Sequence, residues 1–205
     1  MRRLITISAS YGAGGSVVAP ELSKALGLPF LDRAISAADA QRAGEKAGEA
    51  ATDEERTGSV FERLLSGFAH FPETYDVALP IGARTREEQL RKQAKATVSA
   101  FVADGEGVVL GWGGTVIIPD AYHVRLDGPP DRRLRQGMDI EGLGEQEARR
   151  RRDDTDRTRA SYLRRVFGRD WCDPSLYHLT IDSTAIPLDT CTTLISVAAT
   201  AFWES

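Results

Sequence analysis

The run Gly12-Ala13-Gly14-Gly15-Ser16 follows the apolar stretch Leu4-Ile5-Thr6-Ile7-Ser8 and precedes an amphipathic segment carrying Val18, Leu22, Ala25 and Leu26. A strand, a glycine loop and a helix in that order build an anion site. The glycines let backbone N–H groups turn inward, and the helix N-terminus adds partial positive charge. The run aligns with the end of a Gly-x-Gly-Lys-Ser phosphate loop, with Ala9 where the first glycine belongs and Gly15 where lysine belongs. Ser16 keeps the hydroxyl that can bind magnesium. Gly12, Ala13, Gly14, Gly15 and Ser16 are therefore the candidate donor-phosphate residues, and Ser16 the candidate metal ligand. Two other readings stand beside this one. Gly12-Ala13-Gly14 with Asp32 twenty residues after Gly12 imitates a dinucleotide fingerprint, in which the acid takes a ribose hydroxyl, although Val17 is too large for its helix–strand contact. The other is a tight turn with no ligand. Pro20 sits deep enough in the following helix to delay its start or kink it.

A second constellation is Arg151-Arg152-Asp153-Asp154-Thr155-Asp156-Arg157-Thr158-Arg159. On a helix Arg152, Asp156 and Arg159 share one face, so two cations could grip phosphate oxygens while Asp156 accepts from a sugar hydroxyl or orients an arginine. An ion-paired, solvated helix face is the alternative. His123 lies on an expected strand and reads as core or paired, while His70 and His178 show no partner.

The elements that must position these groups follow from pattern. Apolar runs at Leu4 to Ser8, Val108 to Leu110, His123 to Leu126 and Leu179 to Ile181 read as core strands, with Phe30-Leu31 a very short fifth. Helical patterns between them favour a parallel sheet covered by helices, and Leu188, Cys191, Leu194, Ile195, Ala198 and Phe202 mark a last helix with Pro187 in its first turn. Residues 34–100 hold no strand-like run and read as a helical insertion, within which Gln41 to Ser59 is a candidate mobile stretch. Residues 143–169 form a second, arginine-rich helical excursion suited to a lid. Trp171 and Tyr177 read as anchors tying that excursion to the sheet.

The chain of 205 residues is expected to be a single α/β domain. A net charge of −4 argues against a general nucleic-acid binder. The two cysteines suggest neither a metal site nor a disulfide framework, and no apolar run reaches membrane-spanning length. With no signal-peptide pattern at Met1-Arg2-Arg3-Leu4, a reduced cytoplasm is the expected location.

The sequence resembles the cytidylate kinase-like family of P-loop proteins. The likeness rests on Ile5 through Gly15, Val108 to Pro119, His123 to Pro130 and Arg149 to Leu194, above all on Arg152 to Arg159 and on Trp171-Cys172-Asp173-Pro174-Ser175-Leu176-Tyr177-His178-Leu179. It implies a three-layer P-loop fold with a five-stranded parallel sheet, a helical acceptor-side insertion and an arginine-rich lid. It further implies ATP and Mg2+, and a nucleotide or phosphorylated metabolite as acceptor, with a homodimer as a candidate assembly. By position, Arg152, Asp156 and Arg159 match residues that hold acceptor sugar and phosphate in cytidylate kinases, and Arg84 or Arg86 resembles another phosphate-gripping arginine. Three departures stand out: Gly15 replaces lysine, Leu110 replaces an acid near the metal, and Trp112 replaces an acceptor-site arginine. Trp112 reads either as a stacking platform for a base or sugar or as a packing residue. The implied activity is phosphoryl transfer from ATP. The alternative is a nucleotide-binding protein that has lost catalysis and works as a sensor or partner subunit.

Overall fold

The computed structural model describes residues 2–32, 81–111 and 113–205, and for residues 81–86 the backbone course alone. Five parallel strands form one sheet: β1 (Arg3–Ala9), β2 (Phe30–Leu31), β3 (Glu106–Leu110), β4 (Tyr122–Asp127) and β5 (Leu179–Asp182). Their order is β2-β3-β1-β4-β5, so the strand that carries the glycine loop is central. The helices are α1 (Gly15–Leu26), α2 (Ile81–Phe101), α3 (Gly114–Ile117), α4 (Pro130–Glu141), α5 (Glu145–Phe167) and α6 (Leu188–Glu204).

Strand alternation sends side chains to two different cores. Ile5, Ile7 and Ala9 of β1, with Val108, Leu110, Val124 and Leu126, meet Val18 and Leu22 of α1 and Cys191, Ile195 and Trp203 of α6. Leu4 and Val109 face the other way, onto Leu90, Ala94 and Val98 of α2 and Tyr162 and Val166 of α5. Each fully buried aliphatic side chain of this kind contributes roughly 1.5–3 kcal/mol. On β4 the second face is polar: His123 and Arg125 are buried there although they are ionisable.

Helix α1 runs unbroken through Pro20. Proline removes one N–H from the ladder, leaving the Ser16 carbonyl without its helical donor, and the rest of the helix holds because Val18, Ala19 and Leu22 are buried. It ends at Gly27, whose left-handed conformation returns its N–H to Lys24 O.

Residues 143–169 are one helix, α5, beyond a short turn. Its first turn is exposed apart from Ala148, and its last turns, with Tyr162, Leu163 and Val166, are core. Residues 81–100 of the expected insertion lie on α2, which sends Leu90, Ala94 and Val98 into the second core. Gln41 to Ser59, the rest of the insertion from residue 33 to 80, His70 and Trp112 lie outside the described residues. Among the described residues no helix is long and apolar enough to cross a membrane, and both cysteines are free thiols.

Candidate active site

Strand β1 ends at Ala9, and the chain turns through Ser10, Tyr11, Gly12, Ala13 and Gly14 into α1. Gly12 and Gly14 both take the left-handed conformation, φ 71° and 75°. A Cβ on Gly12 would lie 1.9 Å from the carbonyl oxygen of Arg133, so only glycine fits there. Val17 and Val18 donate to Gly14 O, which starts the helix. Among the described residues, nothing accepts the N–H groups of Gly12, Gly14, Gly15 or Ser16. Those of Gly15 and Ser16 belong to a first helical turn, where no intrahelical acceptor exists. Four free N–H groups at the positive end of a helix could donate to phosphate oxygens as partners. Ala13 is the exception to the expected set. Its N–H donates to Ser10 O, 3.1 Å, and its carbonyl accepts the Ser183 hydroxyl, 2.8 Å, so it shapes the loop and offers it no donor.

The loop, α4 and α5 enclose a pocket lined by Ala9 to Gly12, Gly14 to Ser16, Gly137, Ile140, Glu141 and Arg159. It leaves about 20 Å³ for the centres of water-sized molecules, space for one or two waters. The loop's free donors suit a polyphosphate, and the exposed Ser16 hydroxyl suits magnesium held together with phosphate oxygens. Leu110 offers the metal nothing: it is fully buried, and its Cδ1 would lie 3.4 Å from a Cβ on Gly15. Glu141 is the carboxylate on the pocket wall, and it accepts from the Tyr11 hydroxyl, 3.1 Å, and pairs with Arg151. Burial and the Glu141 charge push the Tyr11 phenol up to about 12.

The missing lysine has a steric explanation. A Cβ on Gly15 would lie 2.5 Å from the Cβ of Ala9. The methyl at position 9, where such loops have glycine, fills the space that a side chain at position 15 needs.

The candidate arginines separate. Arg152, Asp156 and Arg159 are each half-buried, while Asp153, Asp154 and Arg157 between them are exposed, as one shared face requires. Arg159 reaches the loop, donating to Ala9 O at 2.5 Å and lining the pocket. Asp156 accepts from Tyr11 N–H and from Arg133 Nη1, both 2.7 Å. Arg152 instead pairs with Asp153, 2.8 Å, and is not part of the pocket wall. Arg84 and Arg86 lie on the first turns of α2, where the description is of backbone alone. Asp32 follows β2, and β3 stands between β2 and β1. Two strand spacings, about 10 Å, thus separate its strand from the loop's. The dinucleotide geometry, which needs the acid on the neighbouring strand, is absent.

Residues that pattern reading passed over complete the site. Arg133 donates to Tyr11 O, 2.9 Å, and Gly128 O, 2.9 Å, and lies 3.3 Å from Asp127. Gln136 donates to Gly12 O, 2.9 Å. Arg125 pairs with Asp127 at 2.8 Å and reaches Ser10 Oγ at 3.3 Å. Burial alone would raise the Asp127 pKa, yet the Arg125 and Ser10 hydrogen bonds hold it below the ordinary carboxylate value. Trp171 and Tyr177 anchor this network: the Arg125 guanidinium lies 4.5 Å from the Trp171 ring and donates to Trp171 O, which also accepts from the Tyr177 hydroxyl. Strand alternation through His123, Arg125 and Asp127 is the signal that could have found the β4 groups. His178, expected without a partner, has several. The β4–β5 register sets it beside His123, whose N–H it accepts at 2.9 Å, and it stacks on the His123 and Tyr122 rings.

The sheet order, the central glycine loop and the flanking arginine helix define a P-loop kinase-like fold. The chain belongs to the cytidylate kinase-like family, whose model matches residues 4–185. Among solved structures, an uncharacterized protein from Eubacterium ventriosum is similar at 19% identity and TM-score 0.57, covering 96% of this chain and 97% of that one. A gluconokinase from Sinorhizobium meliloti is similar at 14% identity and TM-score 0.50, covering 98% and 93%. No curated protein matches the sequence.

Proposed function

We propose that the protein is a small-molecule kinase of nucleoside-monophosphate-kinase type, transferring the γ-phosphoryl of ATP to a nucleotide or a related phosphorylated or hydroxylated acceptor. The observation that carries this reading is the set of four free N–H groups on Gly12, Gly14, Gly15 and Ser16, residues that line one pocket with Arg159. These donors hold the β- and γ-phosphates, and Ser16 holds magnesium. Magnesium, when bound, neutralises charge developing between the phosphates. Arg159 stands on the same wall and provides the positive charge that lysine would bring, from α5 instead of α1. Arg152, two turns earlier on α5, leaves Asp153 to meet the acceptor phosphate. Where the acceptor atom is a phosphate oxygen it is already ionised, so no general base is required and positioning and electrostatics supply the rate. Trp112, Arg84, Arg86 and Asp32 remain the acceptor-side candidates, with Trp112 stacking on a base or sugar.

The test is ADP release from magnesium-ATP over a panel of nucleoside monophosphates, nucleosides and phosphorylated metabolites. Acceptor-dependent turnover is expected, with a loss of about 100-fold or more in Arg159→Ala. Turnover equal in Arg159→Ala and wild type would refute the role given to Arg159. The absence of the loop lysine at Gly15 and of an acid at Leu110 favours one second reading, a nucleotide-binding sensor or partner subunit without catalysis. ATP binding with no turnover on any acceptor would select it. A cytoplasmic location and a homodimer belong to the same proposal; size-exclusion with light scattering tests the second.

A further inference from the structure

Resting on the kinase reading, we infer that Asp156 and Arg133 are positioning residues for the donor loop. Both carboxylate oxygens of Asp156 are already engaged: Oδ1 accepts from Tyr11 N–H and Oδ2 from Arg133 Nη1, each at 2.7 Å. Arg133 is 8% exposed and spans three elements, donating to Tyr11 O in the loop, Gly128 O after β4 and Asp156 on α5. The peptide groups on both sides of Tyr11 are thereby held from outside the loop.

Asp127 faces Arg133, and Arg125 pairs with Asp127 and reaches Ser10. Two arginines and two carboxylates therefore meet at Ser10 to Gly12 with charges that cancel. Such a network tolerates burial only while complete, because removing one member leaves another charge unpaired. Its consequence is geometric. With Tyr11 fixed, Gly12 and Gly14 turn left-handed and leave their N–H groups free. Asp156 is not on the pocket wall, whereas Arg159, one turn on, is. Asp156 thus acts on phosphate only through the loop and through the placement of the helix that carries Arg159.

The experiment measures affinity for magnesium-ATP and for tripolyphosphate by calorimetry in wild type, Asp156→Asn and Arg133→Lys, together with the amide NMR shift of Tyr11. Asparagine matches the shape of aspartate and can still accept from Tyr11 N–H, so Asp156→Asn carries the test even if Arg133→Lys does not fold. Affinity for both probes, measured well below the variant's thermal midpoint, is expected to fall about tenfold, while the midpoint itself falls as Arg133 loses its charged partner. The Tyr11 amide resonance moves upfield as its charged acceptor is lost. Affinity within twofold of wild type would overturn the inference and leave the kinase reading intact. A rise in affinity would also overturn it, making Asp156 a competitor of phosphate. An unmoved Tyr11 resonance would deny the contact itself. Wild type binding neither probe would overturn the kinase reading and the inference with it.

Discussion

At residue scale, the defining feature is the exchange between positions 9 and 15. Six residues apart in sequence, Ala9 and Gly15 meet in space, and a Cβ on the second would fall 2.5 Å from that of the first. Gly15→Lys alone is therefore expected to destabilise by roughly 1–3 kcal/mol through overpacking. Ala9→Gly in the same chain should restore most of that loss, and urea denaturation of the single and double variants checks it. A stable single variant would show the steric account to be wrong. Gly12→Ala should be worse, since its methyl meets backbone at 1.9 Å in a left-handed conformation. The glycines were legible as a phosphate loop because their spacing is local. The coupling of 9 to 15 was not legible, since sequence alone does not show which departures compensate each other. The Ala13 N–H bond to Ser10 O was not legible for a similar reason: the direction of one N–H within a tight turn depends on the turn, not on residue type.

At the scale of elements, the strands were readable because a buried parallel strand is a short apolar run whatever surrounds it. Four of the five proved one or two residues longer than their apolar runs, taking in polar residues such as Arg3, Glu106 and Asp127, while β2 kept to Phe30–Leu31. Helix α5 was harder. Its charge run resembles a solvated face, and only packing shows that Asp156 and Arg159 turn inward while Tyr162 and Val166 enter a core. The same applies to β4, where Arg125 is buried beneath Trp171. Trp171→Ala should cost about 3–5 kcal/mol, and denaturant titration followed by circular dichroism measures it. A cost below 1 kcal/mol would mean that Trp171 merely rests on the surface of Arg125. If Trp171 holds Arg125 for the loop, that variant should also weaken ATP binding.

At the scale of the molecule, strand order decides what can meet. Sequence suggests five parallel strands but not that β3 separates β1 from β2, and that separation places the strand before Asp32 away from the loop. The same order brings His178 onto His123. Burial, with the His178 charge, depresses the His123 pKa from 6.5 to about 4. Below pH 6.5 the unfolded chain takes up a proton that folded His123 refuses, so stability is full above that pH and falls as pH drops towards 4. The loss is on the order of 3 kcal/mol. Comparing wild type with His123→Gln over this range should remove that part of the slope; equal slopes would place His123 outside the pH response. The central claim concerns the loop, and backbone amide resonances followed while magnesium-ATP is added test it most directly. The account expects Gly12, Gly14, Gly15 and Ser16 to move together and saturate, with Ala13 moving least. Binding that leaves these four amides unmoved, or no binding at all, would contradict it.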